Sequence, residues 1–284
     1  MKPKVDVAFK EIMMDERARI GFLAAMLKIR PGDIKETCIL NTNLRKEHKD
    51  DKLGILDVRI LLNDAVEINV EIQLSPLEVW AERALFYLSK MYVDQISQGQ
   101  SYDVFKKCVS ISILDFELFP EEREFYSCFH IREDTRDLLY TDKMEFHLIE
   151  LPKLPEKLRE DCSDIELWAK FINAEKKEEF DMLAQKDPYI ESAYEHLQVI
   201  SQDKEKRLEY EARERAIRDH RQMISEAERR GEERGRAQGI EEGEERINKL
   251  YSFLIKEKRL EDLDRATGDK EFRRELLKQY DILA

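Results

Sequence analysis

Residues 57–73 read DVRILLNDAVEINVEIQ, two alternating runs around a short polar turn, and this pattern limits the fold more tightly than any other in the chain. A strand sends successive side chains to opposite faces. Leu56, Val58, Ile60 and Leu62 therefore share one face of the first run, and Asp57 and Arg59 share the other. The second run repeats the arrangement, with Ile68, Val70, Ile72 and Leu74 apolar and Glu67, Asn69, Glu71 and Gln73 polar. Asn63-Asp64-Ala65 suits an antiparallel hairpin, and with those residues as the loop Asp57 falls opposite Glu71. Like charges directly opposed on a sheet cost roughly 0.2–1 kcal/mol. Either this face is solvated and Arg59 spreads the charge, or a hard divalent cation such as Mg²⁺ sits between the two carboxylates.

The flanking segments extend the hairpin into an α/β domain. Val5 to Met26 is predicted as one amphipathic helix with Phe9, Ile12, Ile20, Leu23 and Met26 on its apolar side, and Arg30-Pro31-Gly32 prevents its continuation. Thr37 to Asn41 reads as a short strand, separated from the hairpin by the polar stretch Asn43 to Lys52. Ser75-Pro76 breaks the sheet and admits a helix from about Leu77 to Ser97. Cys108 to Phe116, CVSISILDF, is β-branched and almost wholly apolar, the pattern of a central strand covered on both faces. Phe125 to Ile131 and Glu145 to Leu151 are further strands, and the domain ends near Pro152 or Pro155.

At 284 residues the chain can bury a sizeable core in one or two domains, while 39% charged residues implies a long solvated helical part. MKPKVDVAFK holds no apolar signal core and no run reaches membrane-spanning length, so a cytoplasmic protein with no membrane partner is expected. Cys38, Cys108, Cys128 and Cys162 lie far apart without paired spacing, which favours reduced, buried thiols over zinc or disulfides. A net charge of -13 argues against a broadly basic nucleic-acid surface and leaves room for a local basic cleft. The histidines are scattered without HExxH, and neither GxxxxGK[ST] nor GxGxxG occurs, which disfavours zinc hydrolases, phosphate-loop enzymes and dinucleotide binders.

Beyond about residue 155 the sequence changes character. Asp164 to Leu183 reads as a helix capped by Ser163, and Asp187-Pro188 opens another. The expected organisation is a first domain over 1–155, a helical extension over 156–186, a long charged, coiled-coil-like helix over 187–248 and a short helical tail over 249–284. Gly231, Gly235, Gly239 and Gly243 continue a four-residue spacing from Ala227. Each glycine in a helix costs about 0.8–1 kcal/mol relative to alanine. The row is therefore either a seam for close approach of a partner helix, making a homo-oligomer with a dimer favoured, or a partly unwound linker.

The segments KVDVAFKEI, DDKLGILDVRI, NVEIQ, ERALFYLSKMY, VSISILDFELF, FHIRE and FHLIELPK, in this order over roughly residues 1–155, resemble the recombination-promoting nuclease/putative transposase family, a branch of the PD-(D/E)XK nuclease superfamily. The glycine-punctuated tail is similar to tails in that family. The resemblance implies an α/β, restriction-endonuclease-like mixed sheet flanked by helices, followed by a long charged α-helical C-terminal region. It further implies an endonuclease that hydrolyses DNA with Mg²⁺, or Mn²⁺ as a substitute, and promotes recombination or accompanies mobile elements.

Carried over residue by residue, Asp57 is the motif aspartate and Glu71 the second acidic residue. Gln73 stands where many superfamily members have lysine, although the resembling family commonly reads E-x-Q. The resemblance gives Asp57, Glu71 and the carbonyl of Ile72 as metal ligands. Glutamine orients water or substrate but brings no charge, so positive charge must come from elsewhere. Lys10 leads, because Asp6, Phe9 and Lys10 match a DxxFK pattern, with Lys52 and Arg59 next. Asp6 is either part of the site or a carboxylate favoured at a helix N-terminus. Arg83 and Tyr87, one helical turn apart, either face a DNA phosphate or brace the sheet. The alternative to an active enzyme is a decayed nuclease fold that binds DNA or self-assembles.

Overall fold

The computed structural model describes residues 1–43, 56–159 and 161–282, so Lys52 and most of the polar stretch before the hairpin lie outside the described residues. The chain forms two compact units, Met1–Ile217 and Arg218–Ala284. In the first, α1 (Asp6–Met14) and α2 (Glu16–Leu27) precede β1 (Thr37–Ile39), β2 (Val58–Leu62) and β3 (Val66–Gln73). Then come α3 (Trp80–Val93), β4 (Lys107–Leu114), β5 (Tyr126–Arg132) and β6 (Leu139–Glu150). Helices α4 (Asp164–Asn173), α5 (Lys177–Ala184) and α6 (Pro188–Gln202) lead into α7 (Lys204–Lys256).

The six strands form one mixed sheet in the order β1-β2-β3-β4-β6-β5. β2 and β3 pair antiparallel around the expected three-residue loop, in which Asn63 and Asp64 take positive φ, a conformation these short polar residues tolerate. The crossover through α3 makes β4 parallel to β3, and β4 is also parallel to β6. β4 is buried along almost its whole length, as its apolar sequence requires.

One face of the sheet carries Val58, Ile60, Leu62, Ile68, Val70, Ile72, Val109, Ile111, Ile113 and Ile149, packed with α1, α2 and α4–α6. On the other face α3 sets Tyr87, Leu88 and Met91 against Cys108 and Leu56. Leu56 thus departs from the expected face, because the chain bends at Asp57 and strict alternation begins only at Val58. The polar face of β3 is not solvated either, since Glu67, Asn69 and Glu71 are all buried.

Several expected helices are divided by local capping. The Val5 to Met26 helix breaks at Asp15, whose extended backbone ends α1 and whose carboxylate accepts from Ala18 N to start α2. The Asp164 to Leu183 helix stops at Ala174 and restarts at Lys177, and the Ser163 cap is present. The helix expected over 187–248 breaks at Asp203 and then runs on to Lys256. Boundaries expected near 155 and 186 fall inside the first unit, because Trp168, Phe171, Leu183, Ile190 and Leu197 join the sheet core. Gly21 allows this closeness, for a Cβ there would stand 2.1 Å from Tyr189 Cβ on α6. Of the four thiols only Cys108 is buried, while Cys38 and Cys128 are exposed.

The second unit holds the later part of α7 with α8 (Leu260–Gly268) and α9 (Lys270–Gln279). Leu250, Leu254, Ala266, Leu276 and Ile282 form its core. The four spaced glycines lie on continuous helix rather than on an unwound linker. No helix among the described residues is long and apolar enough to cross a membrane.

Candidate active site

Asp57 stands one residue before β2, and continuing the Val58↔Val70 register by one step sets it opposite Glu71. Its Oδ2 accepts from Ile72 N at 3.1 Å. Gln73 O accepts from Asp115 N on the β4 side, so by the alternation of a strand the Ile72 carbonyl turns toward β2 and Asp57. Two carboxylates and one backbone carbonyl therefore converge where the hairpin strands part.

Glu71 is only 4% exposed. Asn69 Nδ2 donates to Glu71 Oε1 at 3.2 Å, whereas Arg83 Nε lies 3.7 Å from Oε2, a charge contact without a hydrogen bond. The Arg83 guanidinium packs over the rings of Tyr87, at 4.9 Å, and Trp80, at 5.7 Å. Tyr87 thus packs against the Arg83 that approaches Glu71 from α3, and nearly two-fifths of the Arg83 side chain remains open to solvent.

Burial, then repulsion from Asp57, pushes the Glu71 carboxyl up to about 7 against the help of Asn69 and Arg83. Burial also raises Asp57, and Asp6 adds to the effect, while the Ile72 N–H, Lys10 and Arg213 oppose it. Hard oxygen donors whose charges disfavour each other fit a small divalent cation, which relieves both at once. Asn69 Oδ1, buried without a hydrogen-bond partner, adds another oxygen beside them.

On the α1 side, Asp6 occupies the first helical turn and Arg213 of α7 grips it with Nε and Nη2, each at 2.8 Å. Lys10, one turn further on, favours the ionised Asp57, as Arg213 does. Arg59 instead pairs with Glu67 at 2.8 Å and reaches toward the Asn41 carbonyl at 3.4 Å, so its charge is not shared with Asp57 and Glu71. Gln73 Nε2 donates to Ser75 O at 3.1 Å, which ties the amide to the chain just past β3.

Arg213 and Asn69 were not marked by the sequence. Arg213 is one of many arginines in a charged helix, and only the fold brings it to Asp6 across 207 positions. Asn69 was visible on the polar face of the second run, but nothing in the pattern distinguished it from its neighbours.

A family model described as PD-(D/E)XK nuclease family transposase matches residues 3–227, which takes in the sheet, α1–α6 and the beginning of α7. No curated protein and no solved structure matches the chain.

Proposed function

The chain belongs to the PD-(D/E)XK nuclease family transposases, and on that premise we propose that it is a DNA endonuclease dependent on Mg²⁺, with Mn²⁺ as a substitute, acting in recombination or element mobility. The observation that carries this reading is the opposed pair Asp57 and Glu71, in which the half-buried Asp57 disfavours ionisation of the buried Glu71. Asp57, Glu71 and the Ile72 carbonyl would hold the ion. When bound it supplies Lewis acidity at the scissile phosphate.

The chain's own groups do the remainder. Asn69 and Arg83 keep Glu71 in position, and the Asp57 carboxylate is held by Ile72 N–H. The Gln73 amide orients the attacking water, with its nitrogen anchored on Ser75 O. Lys10 and the Asp6-bound Arg213 provide positive potential for the DNA backbone, a role this motif otherwise gives to lysine.

In the second unit we read the glycine row as a dimerising surface. Cβ atoms added at Gly231, Gly235, Gly239 and Gly243 would meet nothing within 4 Å. Four glycines in a continuous helix cost roughly 3–4 kcal/mol, which close approach of a partner helix offsets. Steps of four residues rotate about 40° each around a helix, so the partner crosses at an angle.

Supercoiled plasmid incubated with the full chain tests the enzymatic reading. Nicks or linear product are expected with Mg²⁺ or Mn²⁺ and not with excess chelator. DNA binding without cleavage in either ion would overturn it in favour of a decayed nuclease fold.

A further inference from the structure

A second constellation of polar side chains lies at the other end of the sheet. β5 pairs antiparallel with β6 in a register that sets Cys128 opposite His147 and His130 opposite Glu145. Alternation puts all four on one face, and the ladder runs from Val70 through Ile111 to His147, so this is the face opposite Glu71. The sequence hid the grouping because its spacings are only Cys-x-His and Glu-x-His, joined by strand pairing rather than by a local motif.

One donor atom from each of Cys128, His130 and Glu145 lies within 4.8 Å of the other two, and His147 joins them through Glu145. Cys128 Sγ is 3.7 Å from Glu145 Oε1 and 4.0 Å from His130 Nδ1, and His130 Nε2 is 3.5 Å from Glu145 Oε2. Two ligands on one tetrahedral zinc ion are separated by about 3.3–3.8 Å, given bonds of about 2.0–2.3 Å. His147 is 3% exposed. Its Nε2 stands 2.7 Å from Glu145 Oε1 and meets no other polar group. A buried imidazole nitrogen is thus aimed at the Glu145 carboxylate on the edge of the cluster.

The surrounding groups fit a ligand set. Tyr126, on the same face of β5, places its hydroxyl 2.8 Å from His147 Nδ1 and so fixes the ring with Nε2 inward. Lys107 pairs with Glu145 Oε2, which leaves Oε1 toward the cluster. The β5–β6 register shifts immediately after His130, a local irregularity that re-aims side chains. One thiolate, two imidazoles and one carboxylate are borderline donors in a four-coordinate set, which selects Zn²⁺ over the oxygen-seeking Mg²⁺.

We propose that Cys128, His130, Glu145 and His147 form a zinc site that fastens edge strand β5 to β6. Binding forms a Zn–S bond as the Cys128 thiol proton leaves to buffer. The site has four protein ligands and so is structural in type.

Metal-free full-length chain, titrated with Zn²⁺ against a chromophoric chelator, should take up one ion per chain below about 1 μM free zinc. Cobalt substitution should give a thiolate-to-metal charge-transfer band. Cys128→Ser should abolish that band, and Cys128→Ser and His130→Gln should each weaken zinc binding by on the order of 10²-fold. Tyr126→Phe should weaken it about 10–100-fold. Asp57→Asn should retain both the band and the zinc affinity, which separates this site from the oxygen-lined one. Absence of stoichiometric uptake by the wild type, or an unchanged band in Cys128→Ser, would overturn the proposal.

Discussion

Replacing Glu71 by glutamine should stabilise the metal-free protein at alkaline pH. The Glu71 carboxyl is raised from 4.5 to about 7 by burial and by Asp57, so the folded state prefers it protonated. Its stabilising contribution is fully present below pH 4.5 and is lost as pH rises through about 7. At about 1.4 kcal/mol per pH unit, that interval amounts to roughly 3 kcal/mol lost by pH 8, of which about 1 kcal/mol is already lost at pH 5. Glu71→Gln removes the titration and the repulsion on Asp57, and its amide oxygen can still accept from Asn69. The forfeited contact with Arg83, at 3.7 Å and part-exposed, is worth less than about 1 kcal/mol. Trp80 and Trp168, the only tryptophans, are buried in the first unit, so fluorescence-detected urea unfolding reads that unit. The variant should exceed wild type by roughly 2–3 kcal/mol at pH 8 and by much less at pH 5. Equal stability at both pH values, or a less stable variant at pH 8, would refute the electrostatic reasoning.

Gln73→Ala should lose roughly 10²-fold in nicking rate with little change in metal affinity, while Gln73→Lys should retain activity; full activity in the alanine variant with none in the lysine variant would rule the role out. Arg213→Ala should release Asp6 and reduce nicking near neutral pH by on the order of tenfold, the loss shrinking as pH rises and Asp57 ionises in its absence; a pH–rate profile parallel to wild type would contradict this. Sedimentation of the full chain should give a dimer, and combined Gly235→Leu and Gly239→Leu should give a monomer whose circular dichroism shows undiminished helix; a wild-type monomer at micromolar concentration would refute the seam.

The hairpin was legible because period-two alternation, a three-residue polar loop and burial of one face together admit a single register. That register alone brought Asp57 to Glu71. Helix breaks were harder to see, since Asp15 and Asp203 interrupt otherwise continuous amphipathic patterns with one extended residue each. The cover over Glu67, Asn69 and Glu71 was illegible for another reason. Alternating polar residues look solvated until α3 and its Arg83 are folded over them. Contacts such as Arg213 with Asp6, or Cys128 with Glu145, join distant or separately paired segments, and composition carries no trace of them.

Single-turnover cleavage of supercoiled plasmid by wild type and Asp57→Asn, in saturating Mg²⁺, tests the metal-holding role of Asp57 and Glu71 most directly. Asparagine keeps an oxygen to accept from Ile72 N–H and removes only the charge, so matched unfolding curves can establish that the fold is intact. The wild type should nick the plasmid, and Asp57→Asn should be slower by at least on the order of 10²-fold. Equal rates in two equally folded proteins would contradict the assignment and move the chemistry away from Asp57 and Glu71.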